Sequence, residues 1–381
     1  MKCSGGGSAA AFAAVVLACG PTRSAQSIVA PPVHIDAQPR IVTADEVTTE
    51  ADLASRGERA LVEERWQDAV KAYRTLVLAD PSGLHASEYM FALGLAFEGA
   101  HDRRNARDTF LDLARRFPDG PKARTALVRA ATLDAYLEDW SALASIGDAL
   151  LGRDDIDDMD RIVGLGARGL ARVELGDDMP ASSDIHDGLD LSDQFHYGAR
   201  DVLPVAVAQL RFALGELRRV RSERIQLDPE PATFLDRLEE RCAGLMEAQA
   251  SYAMAVRSAD PHWAAMAGYR VGAMYRTLHQ TLTRIAAPKT SRTERQKQIF
   301  FAFMHVRYRV LLEKGLREMQ ETIALGERTS DSSAWIVRAK EAKGEMEATL
   351  AEEKAQMGKM PFTEDEVNTA LELLKKRKPA K

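Results

Sequence analysis

The sequence predicts an all-α protein, an α-solenoid of stacked antiparallel helix hairpins with longer helices in the C-terminal half. Three observations carry this. Apolar residues recur at i, i+3 and i+4 along most of the chain, the period of a core-facing helix. Runs of alternating β-branched residues, the mark of strands, are scarce. Between Leu53 and Pro118 a set of small, large and helix-ending residues recurs at an offset of 37.

The first unit of that set comprises Leu53, Gly57, Ala60, Ala69, Tyr73, Leu76 and Pro81. The second comprises Met90, Leu93, Gly94, Phe97, Ala106, Phe110, Leu113 and Pro118. Small residues let two helices approach, large ones fill the space left between them, and each Pro ends a second helix. The pattern resembles the tetratricopeptide repeat (TPR), a helix hairpin of roughly 34 residues, here with a lengthened loop. Arg56 and Ala60 depart from the residues that pattern prefers. The resemblance implies a binding scaffold whose first helices line a concave groove. It puts Ala54 and Glu58 on that face in the first repeat, and Glu88, Phe91, Leu95 and Glu98 in the second. The basic and Asn residues that clamp a C-terminal carboxylate in chaperone-binding TPR proteins are absent. An extended apolar or basic peptide is therefore the expected ligand. The competing expectation is that the chain's own helices cover Phe91 and Leu95.

Residues 123–151 continue the hairpin rhythm. Leu127, Ala130, Ala131 and Leu133 mark one helix, and Trp140, Leu143, Ile146 and Leu150 the next. A fourth unit starts near Ile162, with Gly176 and Asp177 as its internal turn and a second helix shortened or broken by Pro180. From Ala199 longer helices are expected over 202–224, 234–259, 263–286, 294–328 and 333–356. Val271, Gly272 and Tyr275 repeat the signature of Leu93, Gly94 and Phe97. Ala248, Tyr252 and Ala255 repeat the spacing of Ala106, Phe110 and Leu113. A short amphipathic helix over 364–377 precedes a basic tail, Lys375 to Lys378, read as a solvated terminus. The expected organisation is a signal peptide at 1–19, a Pro-rich tether at 20–45, TPR-like repeats at 46–195, long-helix hairpins at 196–360 and a terminal segment at 361–381.

The N-terminus reads as an export signal. Lys2 is its only charge, and Ala9 to Ala18 is an apolar run too short to span a bilayer. Val16-Leu17-Ala18-Cys19 resembles a bacterial lipobox, which implies that Cys19 is the lipidated first residue of the mature chain. An ordinary signal peptide cut near Ala18 is the competing reading. Several acyl chains would anchor the protein, each buried methylene contributing roughly 0.8 kcal/mol. Gly20 stands where an Asp usually retains a lipoprotein at the inner membrane, so the resemblance implies the outer membrane, facing the periplasm. Residues 20–45 hold Pro21, Pro31, Pro32 and Pro39 without helical period. Cys242 then stands alone, and a small buried hydrophobe is its expected role.

The 381 residues are 45% hydrophobic, enough for an extended core, and a net charge of −6 excludes a general attraction to nucleic acid. The chemistry-bearing patterns fail one by one. The Asp154 to Asp160 cluster and the Asp184 region lack the Gly and Glu of a calcium loop, and a solvated acidic loop is expected there. Gly164, Gly166 and Gly169 spell a dinucleotide fingerprint without the strand it requires; close helix packing accounts for them better. There is no P-loop, no H-E-x-x-H and no Cys or His pair with metal spacing. His101, His262, His279 and His305 are scattered. No catalytic residue, metal or cofactor is expected.

TPR hairpins behind a lipobox resemble the BamD-like outer-membrane assembly lipoproteins. They also resemble the TPR proteins of myxobacterial gliding machinery, where the Tyr252 and Trp263 to Tyr275 region is most similar. Both resemblances imply a protein-interaction component of an envelope complex. A second expectation, of another class, is a ligand-binding or enzymatic helical domain with a closed polar pocket between residues 200 and 330.

Overall fold

The computed structural model describes residues 49–197, 202–227, 231–258, 260–289, 291–329, 333–363 and 365–369. The signal, Cys19, the tether and the basic tail lie outside them. Among the described residues the regular structure is all helical, and consecutive helices pack as antiparallel neighbours. No described helix is long and apolar enough to cross a membrane.

Four hairpins form the first half: α1 (Glu50–Val62) with α2 (Trp66–Ala79), α3 (Ala86–Gly99) with α4 (Arg103–Arg116), α5 (Ala123–Leu137) with α6 (Trp140–Leu151), and α7 (Asp158–Glu174) with α8 (Asp178–Gln194). The second helices of the first three begin at 66, 103 and 140, each 37 residues after the last. The repeat therefore extends one unit beyond the pair that carries the motif. The turns repeat too. Glu64, His101, Glu138 and Gly176 all have positive φ, from 56° to 86°. In each turn the following residue donates its N–H five residues back, Arg65 to Ala60, Asp102 to Phe97, Asp139 to Asp134 and Asp177 to Arg172. This is the Schellman closure of a helix end, and the left-handed residue it needs favours glycine. Only Gly176 supplies one. Asp102 and Asp139 then cap the next helix, accepting from the N–H groups of Asn105 and Ala142.

The glycines of the motif sit where helices touch. A Cβ on Gly57 would lie 2.9 Å from the Tyr73 ring, and one on Gly94 would lie 2.4 Å from the Phe110 ring. Gly169 meets Ile185 in the same way at 2.8 Å. In all three the partner is 16 residues on, so one small-to-large contact is rebuilt in hairpins one, two and four. Ala69 and Ala106 are fully buried beside these contacts. Pro81 and Pro118 each lie two residues past the end of a helix.

Two expectations are corrected here. Pro180 does not break α8, which runs for 17 residues. Pro180 is its third residue, where the backbone N–H has no intrahelical acceptor and its loss is harmless. The acidic stretch is a solvated loop only at Asp154 and Asp155, which lie exposed between α6 and α7. Asp157 and Asp160 form a capping box that starts α7. Asp184 is buried on α8 and paired with Arg168 and Arg172, both at 2.7 Å.

The second half has longer arms: α9 (Val205–Glu223), α10 (Pro231–Ala255), α11 (Pro261–Thr283), α12 (Glu294–Thr329) and α13 (Ala334–Met357). A 3₁₀ turn, Val256–Ser258, joins α10 to α11. Asp260 caps α11 through the N–H groups of His262 and Trp263, with Pro261 at the first helical position. Tyr252 meets Gly215 of α9, whose added Cβ would lie 2.6 Å from the ring. That is the same small-to-aromatic contact, with Leu214 and Gly215 matching Leu93 and Gly94. Gly272 instead faces α12, close to Gly315 and Met319, and Tyr275 packs beside the same glycine. The chain is a TPR-like α-solenoid. One apolar core runs without a break from Ala60 to Ile336. Cys242 is half-buried against it.

Candidate functional site

The register of the hairpins sets the candidate groove. Ala54, Phe91 and Val128 occupy equivalent positions on α1, α3 and α5, and so do Glu58, Leu95 and Thr132. The buried positions between them, such as Gly57, Leu93 and Ala131, face the second helices. Along the row, Ala54, Phe91, Leu95, Val128 and Thr132 are half-buried and Glu58 is exposed. Glu88 is exposed as well, and Glu98 is half-buried in a 2.7 Å pair with Arg129. The Phe91 ring packs on Phe110 and is flanked by Lys122, whose ammonium lies 5.1 Å from the ring centroid. Exposed acids thus lie along α1 and α3, and cations mark the edge toward α5.

The groove does not stay open along the whole solenoid. α1 and α3 pack on their hairpin neighbours α2 and α4. From α5 onward the long helices close in. The Tyr136 hydroxyl donates to Asp260 at 2.6 Å, and His262 stacks on the Tyr136 ring at 4.2 Å. Arg338 of α13 holds both oxygens of Glu138 at 2.8 Å. Arg270 of α11 pairs with Glu174 of α7 at 2.9 Å. So the first helices of hairpins three and four are braced by the long helices, and among the described residues no comparable bracing reaches α1 and α3.

The brace centres on a buried ionic network. Glu216 is fully buried. It accepts from Arg219 at 2.5 Å and from the Tyr252 hydroxyl at 2.6 Å, and Arg270 lies 3.0 Å away. Burial alone would raise the Glu216 pKa, but Arg270 and Arg219 hold it below the ordinary carboxylate value. Glu174 goes the other way, pushed up by burial and by the charge of Glu216. These groups join α7, α9, α10 and α11, and pin the long-helix half to the repeats.

Among the described residues of the long-helix half, one cleft is open rather than closed. Gln226, Arg241, Gln280 and Arg284 line a cleft of about 520 Å³ that opens to solvent at the end of α11. Deeper in that half lies a convergence that no sequence motif signals. His279, His305 and Glu353, from three different helices, approach within 4.8 Å of one another. Helix packing alone brings the three together.

No protein-family model matches the chain, and no curated protein matches it by sequence. Among solved structures, a tetratricopeptide repeat protein from Parabacteroides merdae is similar at 13% identity, with a TM-score of 0.40. The match covers 78% of this chain and 98% of that one.

Proposed function

We propose that this chain is a non-enzymatic protein-interaction scaffold. Its groove on α1 and α3 takes an extended apolar or basic segment of a partner, and lipid on Cys19 holds it in a bacterial envelope. One observation carries the groove: Phe91 and Leu95 remain half-buried on helices that the long-helix half does not brace, beside the exposed carboxylates of Glu58 and Glu88. An apolar strip edged by acids suits a peptide with apolar side chains and basic neighbours. The bracing of α5 and α7 by α11 and α13 supports the same reading, since it fixes the curvature that the open end presents.

The anchor rests on the sequence. The short apolar run ending in Ala18-Cys19, with Gly20 after it, supports a lipoprotein of the outer membrane facing the periplasm. The partners are then envelope proteins, of an outer-membrane assembly or a motility or secretion machine, and nucleic acid is not among them. The test is a crosslinked pull-down from native membranes with a C-terminal tag, on the wild type and on Cys19→Ser. The wild type is expected to fractionate with membranes and to recover a defined set of envelope proteins. Cys19→Ser is expected to be released and to recover fewer. Unchanged fractionation of Cys19→Ser would remove the anchor, and an irreproducible catch from the wild type would remove the scaffold.

A further inference from the structure

Near the turn between α11 and α12, three ligand-type side chains meet. His279 comes from the end of α11, His305 from the first third of α12 and Glu353 from the last turns of α13. His305 Nδ1 lies 2.8 Å from Glu353 Oε1, and His279 Nε2 lies 3.1 Å from the same oxygen. The site is closed. His279 is 1% exposed and Glu353 5%, and the Phe301 ring stacks on His305 at 4.0 Å.

Hydrogen bonding does not account for this cluster. His305 and Glu353 make one good bond. His279 Nε2 approaches Glu353 without hydrogen-bond alignment, and among the described residues it has no other partner. Among the same residues His279 Nδ1 and Glu353 Oε2 are buried without a partner as well. A buried polar atom without a partner keeps its desolvation penalty uncompensated, so three in one place need an explanation. A cation bound by His279 Nε2 and by both oxygens of the Glu353 carboxylate satisfies Nε2 and Oε2 together.

Geometry and donor type agree on its class. Ligands at about 2.0–2.2 Å around a tetrahedral zinc ion stand about 3.3 Å from one another. The two close separations, 2.8 and 3.1 Å, are near that value before any adjustment to an ion. Two imidazoles and one carboxylate suit zinc and its late first-row neighbours, whereas calcium and magnesium take oxygen ligands. Three protein ligands leave the fourth position to water.

We propose that His279, His305 and Glu353 bind one divalent transition-metal ion, zinc foremost, which fastens α11, α12 and α13 to one another. Binding an ion in the folded state alone raises stability with the ion's concentration. The metal is independent of the groove, so either reading survives the failure of the other.

The test uses the full chain, stripped with a chelator and checked for helix content by circular dichroism. Zinc is titrated by calorimetry, and cobalt(II) by visible absorption, which reports coordination geometry. The wild type is expected to bind one equivalent, to give the intense spectrum of four-coordinate cobalt and to melt at a higher temperature with zinc. Glu353→Gln and His279→Gln keep the size and polarity of the side chains, and are expected to weaken binding about 100-fold or more. A wild type that binds no stoichiometric ion would overturn the proposal whatever the variants do. So would a six-coordinate cobalt spectrum, or a folded Glu353→Gln that binds as tightly as the wild type.

Discussion

Replacing Glu216 with alanine is expected to lower the unfolding free energy by about 3–5 kcal/mol, the size typical of breaking a buried ion pair on one side. The carboxylate is fully buried and serves Arg219, Arg270 and the Tyr252 hydroxyl at once. Its removal leaves two guanidinium groups close together without their shared counter-charge. The effect should also depend on pH. Because the Glu216 pKa is held below its unfolded value, its contribution is complete above the unfolded-state pKa and is lost as pH falls through the folded one. The gap between wild type and Glu216→Ala should therefore close in acid. Glu174 works in the opposite sense. Its raised pKa means that ionising it weakens the fold as pH rises from the unfolded value to the folded one. Urea unfolding at neutral and acidic pH measures both. A loss below about 1 kcal/mol at neutral pH would mean that the network does not hold the two halves together.

The second large effect comes from the repeat contact itself, and a glycine elsewhere serves as its control. In Gly94→Ala the new Cβ would stand 2.4 Å from a ring atom of Phe110, which is fully buried and cannot swing away. Overpacking of this kind costs about 1–3 kcal/mol, against a gain of nearly 1 kcal/mol in helix propensity. Gly344, inside α13, has nothing within 4 Å of the same added atom. There the propensity gain is unopposed, and Gly344→Ala is expected to stabilise by about 1 kcal/mol. The two alanines should thus move the thermal midpoint in opposite directions. Equal shifts would show that Gly94 is not needed for the helices to approach.

The hairpins were legible because their packing is written locally. Small residues at Gly57 and Gly94 and aromatic residues at Tyr73 and Phe110 keep one spacing, and the helices obey it. The third hairpin keeps the same register but no aromatic, since Gly147 stands where Phe110 would recur; there the motif is weak although the helix starts are not. Three of the left-handed turns were hidden for a different reason. Glu64, His101 and Glu138 adopt a conformation that the sequence flags only when glycine supplies it. The acidic stretch misled because an Asp looks the same as a loop residue, a helix cap or a buried ion-pair partner. Asp157 and Asp184 are the second and third of these. The Gly215 contact with Tyr252 was readable in principle, from Leu214-Gly215, but the longer arms displaced it from the expected spacing. The Glu216 network and the His279, His305 and Glu353 cluster draw on residues far apart in the chain, so no local pattern could have shown them.

On the proposed function, partners dock on the first helices of hairpins one and two. The most direct measurement places a photo-crosslinking phenylalanine analogue at Phe91 and, separately, at Leu78. Leu78 is 73% exposed on the second helix of hairpin one, away from the groove row. Illumination of native membranes is followed by mass spectrometry of the adducts. A defined envelope protein is expected to be captured from Phe91 through an apolar or basic segment, with no such capture from Leu78. Capture of the same protein from Leu78 alone, with Phe91 silent, would place the interaction on the outer helices and contradict it.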